Sequence, residues 1–204
     1  VADPAPLGLA AFAMTTFVLS VFNAHIISNQ KLASVVLPLA LFYGGIAQFA
    51  AGMWEFKNRN TFGALAFTSF GSFWLAYAAY GRYIAGGLPA DQAYKATGLF
   101  LLAWCIFTAY MTIASLRTNG VVLAVFATLT LTFLLLAIGA FAQSTGWNKV
   151  GGWVGLVTAL LAWYGSFAGV TNATWGSPVV PTWPMTAIPR TRRPMTTTAV
   201  PQVQ

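Results

Sequence analysis

The stretch GVVLAVFATLTLTFLLLAIGAFA, residues 120–142, holds no charged side chain. A hydrocarbon core about 30 Å thick is crossed by about 20 apolar residues in an α-helix, which pairs every backbone N–H and C=O within the segment itself. Residues 120–142 meet that requirement and read as a transmembrane helix. Working outward from them, five more apolar runs of similar length appear: Leu7 to Ile27, Val35 to Trp54, Phe62 to Gly81, Gly98 to Arg117, and Gly152 to Thr171. The fold class that follows is all-α, a polytopic membrane protein with six transmembrane helices in one bundle per protomer. Residues 1–171 form the transmembrane domain. Residues 172–204 hold six of the ten prolines and read as a Pro/Thr-rich tail, extended or disordered.

Composition agrees. Of 204 residues, 58% are hydrophobic and 6% charged, too few charges to cover a soluble domain. The first apolar run lacks a basic flank and a small-residue cleavage site, so it reads as a retained helix. The chain opens without Met, as expected of a longer or processed chain. The net charge of +7 is scattered over short loops and the tail, which suits anionic headgroups of membrane lipids and not nucleic acid. Lys57, Arg59, Arg117, Arg190, Arg192 and Arg193 lie in even loops and tail, against Lys31, Arg82, Lys95 and Lys149 in odd ones. That modest bias favours both termini cytoplasmic, and Asn172-Ala173-Thr174 then stays unglycosylated.

Enzymatic chemistry has no constellation to run it. Cys105 stands alone within the fourth span, which excludes an internal disulfide and a cysteine-based metal site. No lysine sits mid-span, no carboxylates cluster, and the one histidine, His25, falls at the end of the first helix as an interfacial side chain. No cofactor is implied.

The spans do present polar groups. Gly8, Phe12, Thr15, Leu19 and Asn23 share one face of the first helix; Gly44, Gln48, Gly52 and Glu55 share one face of the second. Ser69, Ser72 and Phe73 recur on the third, and Thr128, Leu129 and Thr132 on the fifth. Close helix packing explains most small residues at such intervals. Amide and hydroxyl groups offered by several helices toward one interior also suit a polar path between apolar constrictions, with Gln48 the best mid-span polar contact. Asn60 reads as the N-cap of the third helix, and Glu55 as its support or as a partner for Lys57 or Arg59.

At the chain's start, DPAPLGL sets Asp3 and two prolines before the first apolar run, a helix-start pattern. Together with FYGGIAQFAAGMWEFKNRNTFGALAFTSFGSFWL from Phe42 to Leu75 and LLLAIG from Leu134 to Gly139, this opening closely resembles the acetate uptake transporter family, also called succinate-acetate permeases. The resemblance extends from Asp3 to about Gly169. It implies a six-helix subunit in a homohexamer, each protomer moving acetate, other small monocarboxylates or succinate, either coupled to protons or as an anion channel, in a bacterial inner (plasma) membrane. It also implies a hydrophobic constriction of a Phe, a Tyr and a Leu, which fall on Phe12, Phe70 and Leu129. Phe70 departs from the family's SYGSFWL, so the constriction is expected to be more purely apolar. Ala162 matches a small-residue position that influences which acids fit. Asp3 replaces the family's Asn; an ionised carboxylate only accepts hydrogen bonds and repels an anion, leaving backbone donors at Leu7 and Gly8 to serve.

A carboxylate must shed water to cross an apolar ring, so donors are needed on either side of it. Thr15, Asn23, Gln48, Ser69 and Thr132 are the expected donors. The rival readings are a transport-inactive structural subunit packed in a larger membrane assembly, and a water- or glycerol-type channel, which needs a second half-helix motif that this sequence lacks.

Overall fold

The computed structural model describes residues 2–185. Among them six helices are long and apolar enough to cross a membrane: α1 (Ala5–Asn23), α2 (Gln30–Lys57), α3 (Thr61–Gly87), α4 (Ala93–Ser115), α5 (Gly120–Phe141) and α6 (Thr145–Trp175). Several helices outrun the spans expected from hydropathy. Residues 30–34, 82–87, 93–97 and 145–151, expected in connections, are helical, and so are residues 172–175, expected in the tail. Capping, which hydropathy does not register, accounts for two of these stretches: Asn29 caps residues 30–34, and Ser144, whose Oγ accepts the Trp147 N–H at 3.5 Å, caps residues 145–151. Asn29 Oδ1 accepts from the Lys31 N–H at 3.1 Å, Asn60 Oδ1 from Gly63 at 3.1 Å, and Asn119 Oδ1 from Val122 at 2.9 Å, each satisfying a free donor of a helical start. At the far end of α6, Gly176 takes φ 67°, the left-handed turn that ends a helix and suits glycine. In the other direction, α1 stops at Asn23, short of Ile27, because His25 at φ 57° turns the chain away.

Consecutive helices run antiparallel and close into a ring. Backbones approach between α1 and α2, α2 and α3, α4 and α5, α5 and α6, and α6 returns to α1. The seam between α3 and α4 is different, since few backbone atoms come near and large rings fill the gap. There Phe70 meets Phe107 at 5.4 Å between centroids, Phe73 meets Trp104 at 5.1 Å and Phe100 at 5.7 Å, and the Tyr80 hydroxyl lies 2.8 Å from Thr97 Oγ1.

Helix α2 is not uniform. Its turns widen to a π-helix over Phe42–Ala47, just after Pro38, which cannot supply a helical N–H. Gly44 within that segment touches two other helices: a Cβ there would lie 2.5 Å from Thr15 Oγ1 and 2.9 Å from Trp74 Cδ1. Glycine therefore sets how closely α1, α2 and α3 converge.

Beyond α6 the chain turns back across the end of the bundle that also carries the start of α1, here called the proximal end. Gly120 donates to the Trp183 carbonyl at 2.9 Å and Met185 to Thr118 at 3.1 Å, while Tyr164 Oη donates to Pro181 at 2.7 Å. Asn172 grips Val180 with both ends of its amide, at 2.9 and 2.8 Å. Residues 177–185 thus form an extended strap. The rest of the expected tail, residues 186–204, lies outside the described residues.

Candidate functional site

Three helices that run in the same direction, α1, α3 and α5, bring Phe12, Phe70 and Leu129 into one buried cluster, each 3–4% exposed. The Phe12 and Phe70 rings meet edge-on at 5.8 Å, and Phe70 touches four more rings, those of Trp104, Phe107, Phe126 and Phe133, at 5.4 to 6.5 Å. Edge-on and tilted pairs of this kind each contribute about 0.5–1.5 kcal/mol beyond their burial. The result is a dense apolar plug.

On the distal side of the plug opens a cavity of about 520 Å³, with Phe12 and Leu129 at its base and His25, Tyr94 and Gln143 toward the distal loops. Its wall offers hydroxyl and amide groups, among them Thr16, Ser20, Asn23, Tyr77, Thr132 and Asn148, and no Asp, Glu, Lys or Arg. On the proximal side lies a second cavity of about 400 Å³, bounded by Asp3, Leu9, Asn119, Val122, Asn172 and Thr182 of the strap. Leu9 precedes Phe12 by one turn of α1 and Val122 precedes Leu129 by two turns of α5. At 1.5 Å per residue the apolar barrier between the cavities is about 5–10 Å thick.

The other expected residues fall in different places. Asn23 and Thr132 line the distal cavity, and Asp3 borders the proximal one, exposed, its Oδ1 accepting the Ala5 N–H at 2.9 Å. Ala162 is fully buried within the cluster around the plug. Thr15 is fully buried too, but it faces α2 at Gly44 and donates to the Ala11 carbonyl at 2.9 Å. Gln48 is 1% exposed and lies at the level of the plug, one turn from Gly44 and beside Phe49, whose backbone packs on Gly71. Leu7 is an exposed surface residue. The Gly8 N–H is taken by the Pro4 carbonyl at 3.1 Å, and its Cα packs on the Phe67 ring. Ser69 borders an outward-facing cleft between α3 and α4, away from both cavities. Glu55 is buried and accepts from Asn60 Nδ2 at 3.0 Å; it supports the cap of α3 and makes no ion pair with Lys57 or Arg59, since Lys57 lies over the Trp54 ring.

Sequence reasoning missed Thr16 and Trp74, which line the distal cavity one turn beyond Phe12 and Phe70 respectively. The signal was the i+4 spacing from each plug residue, and on α1 the choice between adjacent threonines fell on Thr15, which turns toward α2.

A model of the GPR1/FUN34/yaaH family matches residues 1–187. The chain belongs to that family. The resemblance carried by DPAPLGL and the Phe42–Leu75 segment is borne out, and the six-helix, all-α architecture with it. In this family, accumulation of dyads protein 2 of Saccharomyces cerevisiae is 45% identical over 176 residues, covering 84% of this chain and 62% of the yeast protein. The succinate-acetate/proton symporter SatP of Escherichia coli is 41% identical over 180 residues, covering 88% of this chain and 94% of that protein. Acetate permease A of Emericella nidulans is 39% identical over 214 residues, covering 96% of this chain and 71% of the permease. The chain spans 62 to 64% of the length of several yeast relatives. Among solved structures, that of the bacterial acetate channel SatP superposes with a TM-score of 0.82 at 39% identity, covering 89% of this chain and 99% of that one. Six helices long and apolar enough to span a bilayer, with relatives named as a permease, a symporter and a channel, make this an integral membrane protein.

Proposed function

We propose that the protein moves acetate and related small carboxylates, succinate among them, across a membrane through a path within each protomer. The observation that carries this reading is the pairing of two cavities at opposite ends of the bundle, each offering hydroxyl and amide groups within a largely apolar wall, with a short apolar plug between them. A carboxylate enters one cavity hydrated, exchanges water for hydroxyl and amide donors such as Asn23 and Thr132, and crosses the plug partly stripped of water. An ion left unpaired in hydrocarbon costs far more than a neutral polar group, so the barrier has to be thin. A plug about one or two turns thick meets that condition. Crossing as the neutral acid lowers the cost further and makes net transport follow a proton gradient.

Neutral donors in place of fixed cations bind an anion weakly, which suits conduction, because the solute must leave as readily as it enters. With Phe70 the plug lacks a hydroxyl that could steady a carboxylate in mid-passage, which favours the neutral acid. Gln48, at the level of the plug, is the remaining polar group there, and Ala162 sets the room behind it. The relatives named for proton symport and for an acetate channel support acetate as substrate, with protons as the coupled partner. The modest charge bias supports an orientation with the proximal end and both termini in the cytoplasm. A homohexamer in a bacterial inner membrane, each protomer with its own path, completes the proposal.

The test is uptake of labelled acetate into liposomes by the purified protein. Saturable uptake that accelerates with an inward proton gradient supports proton-coupled transport. Uptake that ignores the gradient and follows voltage makes the protein an anion channel, and no uptake at all favours the structural-subunit reading.

A further inference from the structure

The wall of the distal cavity carries no Asp, Glu, Lys or Arg, yet three of its residues are each followed directly by a lysine: Gln30 by Lys31, Tyr94 by Lys95 and Asn148 by Lys149. The proximal cavity has no such pattern. None of its wall residues has a lysine or arginine beside it in the chain, and its one charged wall residue is Asp3. The two mouths therefore differ in the sign of their fixed charge.

The three lysines stand against two physical preferences. Each falls in the opening turns of a helix, Lys31 in α2 after its start at Gln30, Lys95 in α4 after Ala93 and Lys149 in α6 after Thr145. The helix dipole is positive there and disfavours a cation. Each also lies at the end of the bundle opposite the start of α1, and with the termini cytoplasmic that is the end which the positive-inside preference keeps poor in Lys and Arg. Three departures from local preference, on three helices and around one opening, point to function.

All three side chains are exposed, and the Lys95 ammonium lies over the Tyr94 ring of the wall, 5.8 Å from its centroid. Consecutive Cα atoms are about 3.8 Å apart, so each lysine borders the opening within a Debye length, about 8 Å at physiological salt. Arg82 lies instead over the Tyr83 ring, which is outside the wall, and Asp91 in the α3–α4 connection offsets part of the charge.

Resting on the transport reading, we infer that Lys31, Lys95 and Lys149 form a collar of positive charge around the distal mouth that concentrates small carboxylate anions at the entrance, ahead of an uncharged wall that lets them pass on. Three unit charges about 8 Å from an anion in water, screened over one Debye length, raise its local concentration about two- to threefold at 0.15 M salt. At 0.01 M salt, where the Debye length is about 30 Å, the same charges give about sevenfold.

The potential at the mouth can be read without transport. Thr145 lines the distal cavity and is exposed, so Thr145→Cys presents a thiol there. The native Cys105 is buried, and the protein without the added cysteine gives the background. Reaction rates with an anionic and a cationic methanethiosulfonate are compared in a neutral detergent, with the lysines present and with Lys31→Gln, Lys95→Gln and Lys149→Gln combined. The field acts on the two reagents in opposite senses, so the anionic-to-cationic rate ratio falls by the square of the concentrating factor on neutralisation, about sevenfold at 0.15 M salt and about fiftyfold at 0.01 M. Matching gel-filtration profiles exclude a folding defect. A ratio that neutralisation leaves unchanged, the result expected of lysines that serve lipid headgroups alone, overturns the collar. In liposomes the triple variant takes up labelled acetate about two- to threefold more slowly than the wild type at low acetate and 0.15 M salt. A fall in the ratio without wild-type uptake keeps the positive mouth and removes the transport reading; wild-type uptake with an unchanged ratio does the reverse.

Discussion

At the residue scale the proposed path turns on Phe12, Phe70 and Leu129, which pack into one apolar cluster between two cavities that each offer some polar groups. Truncating Phe12 or Leu129 to Ala thins the block, and each step of 1.4 kcal/mol off the barrier is worth a factor of about ten in rate. Several-fold faster acetate uptake, or acceptance of longer acids, is expected in liposomes for both variants, although each loses packing. Phe70→Tyr restores a hydroxyl inside the plug and should lower the half-saturating acetate concentration; an unchanged value would mean that position 70 does not meet the solute. The sequence displayed these three positions only through a family resemblance. Periodicity alone could not separate Thr15 from Thr16, because adjacent residues stand 100° apart on a helix and the distinction depends on where α2 packs. Ser69 was misleading for a related reason: an α3 hydroxyl can face the ring's interior or the cleft beside α4, and hydropathy is blind to which.

At the scale of elements, glycines and caps set the helix geometry. A Cβ at Gly71 would meet the Phe49 backbone nitrogen at 2.7 Å, so Gly71→Ala must push α2 from α3 beside Phe70. A drop in melting temperature in detergent, with slower acetate uptake, is the expected result. Asn60→Ala removes the α3 cap and the partner of Glu55 together, and a loss of at least about 1 kcal/mol should show in chemical unfolding. The strap is held by Tyr164 and Asn172, which bond Pro181 and Val180. Replacing them with Phe and Ala in one variant should speed hydrogen exchange at the Gly120 and Met185 amides, whose acceptors are Trp183 and Thr118. The prolines of residues 172–204 marked a tail that is extended or disordered, whereas its pairing with the α4–α5 turn depends on tertiary contacts that no local pattern encodes.

For the molecule as a whole, the number and class of helices were plain from apolar runs such as residues 120–142, because a bilayer leaves a chain few alternatives. Short connections between consecutive helices set their order around the ring, but no apolar run marks the α3–α4 seam. It exists because rings from Phe70 and Phe73 reach across to Phe100, Trp104 and Phe107 where backbones stay apart. The same rings build the plug, so the joint of the ring and the barrier of the proposed path are one structure. The most direct test of this account is labelled acetate uptake into liposomes by the wild type, Phe12→Ala and Leu129→Ala, each with and without an inward proton gradient. Saturable wild-type uptake, faster in both variants, is the predicted result. Uptake that is absent, or identical in all three proteins, would contradict a path through this plug.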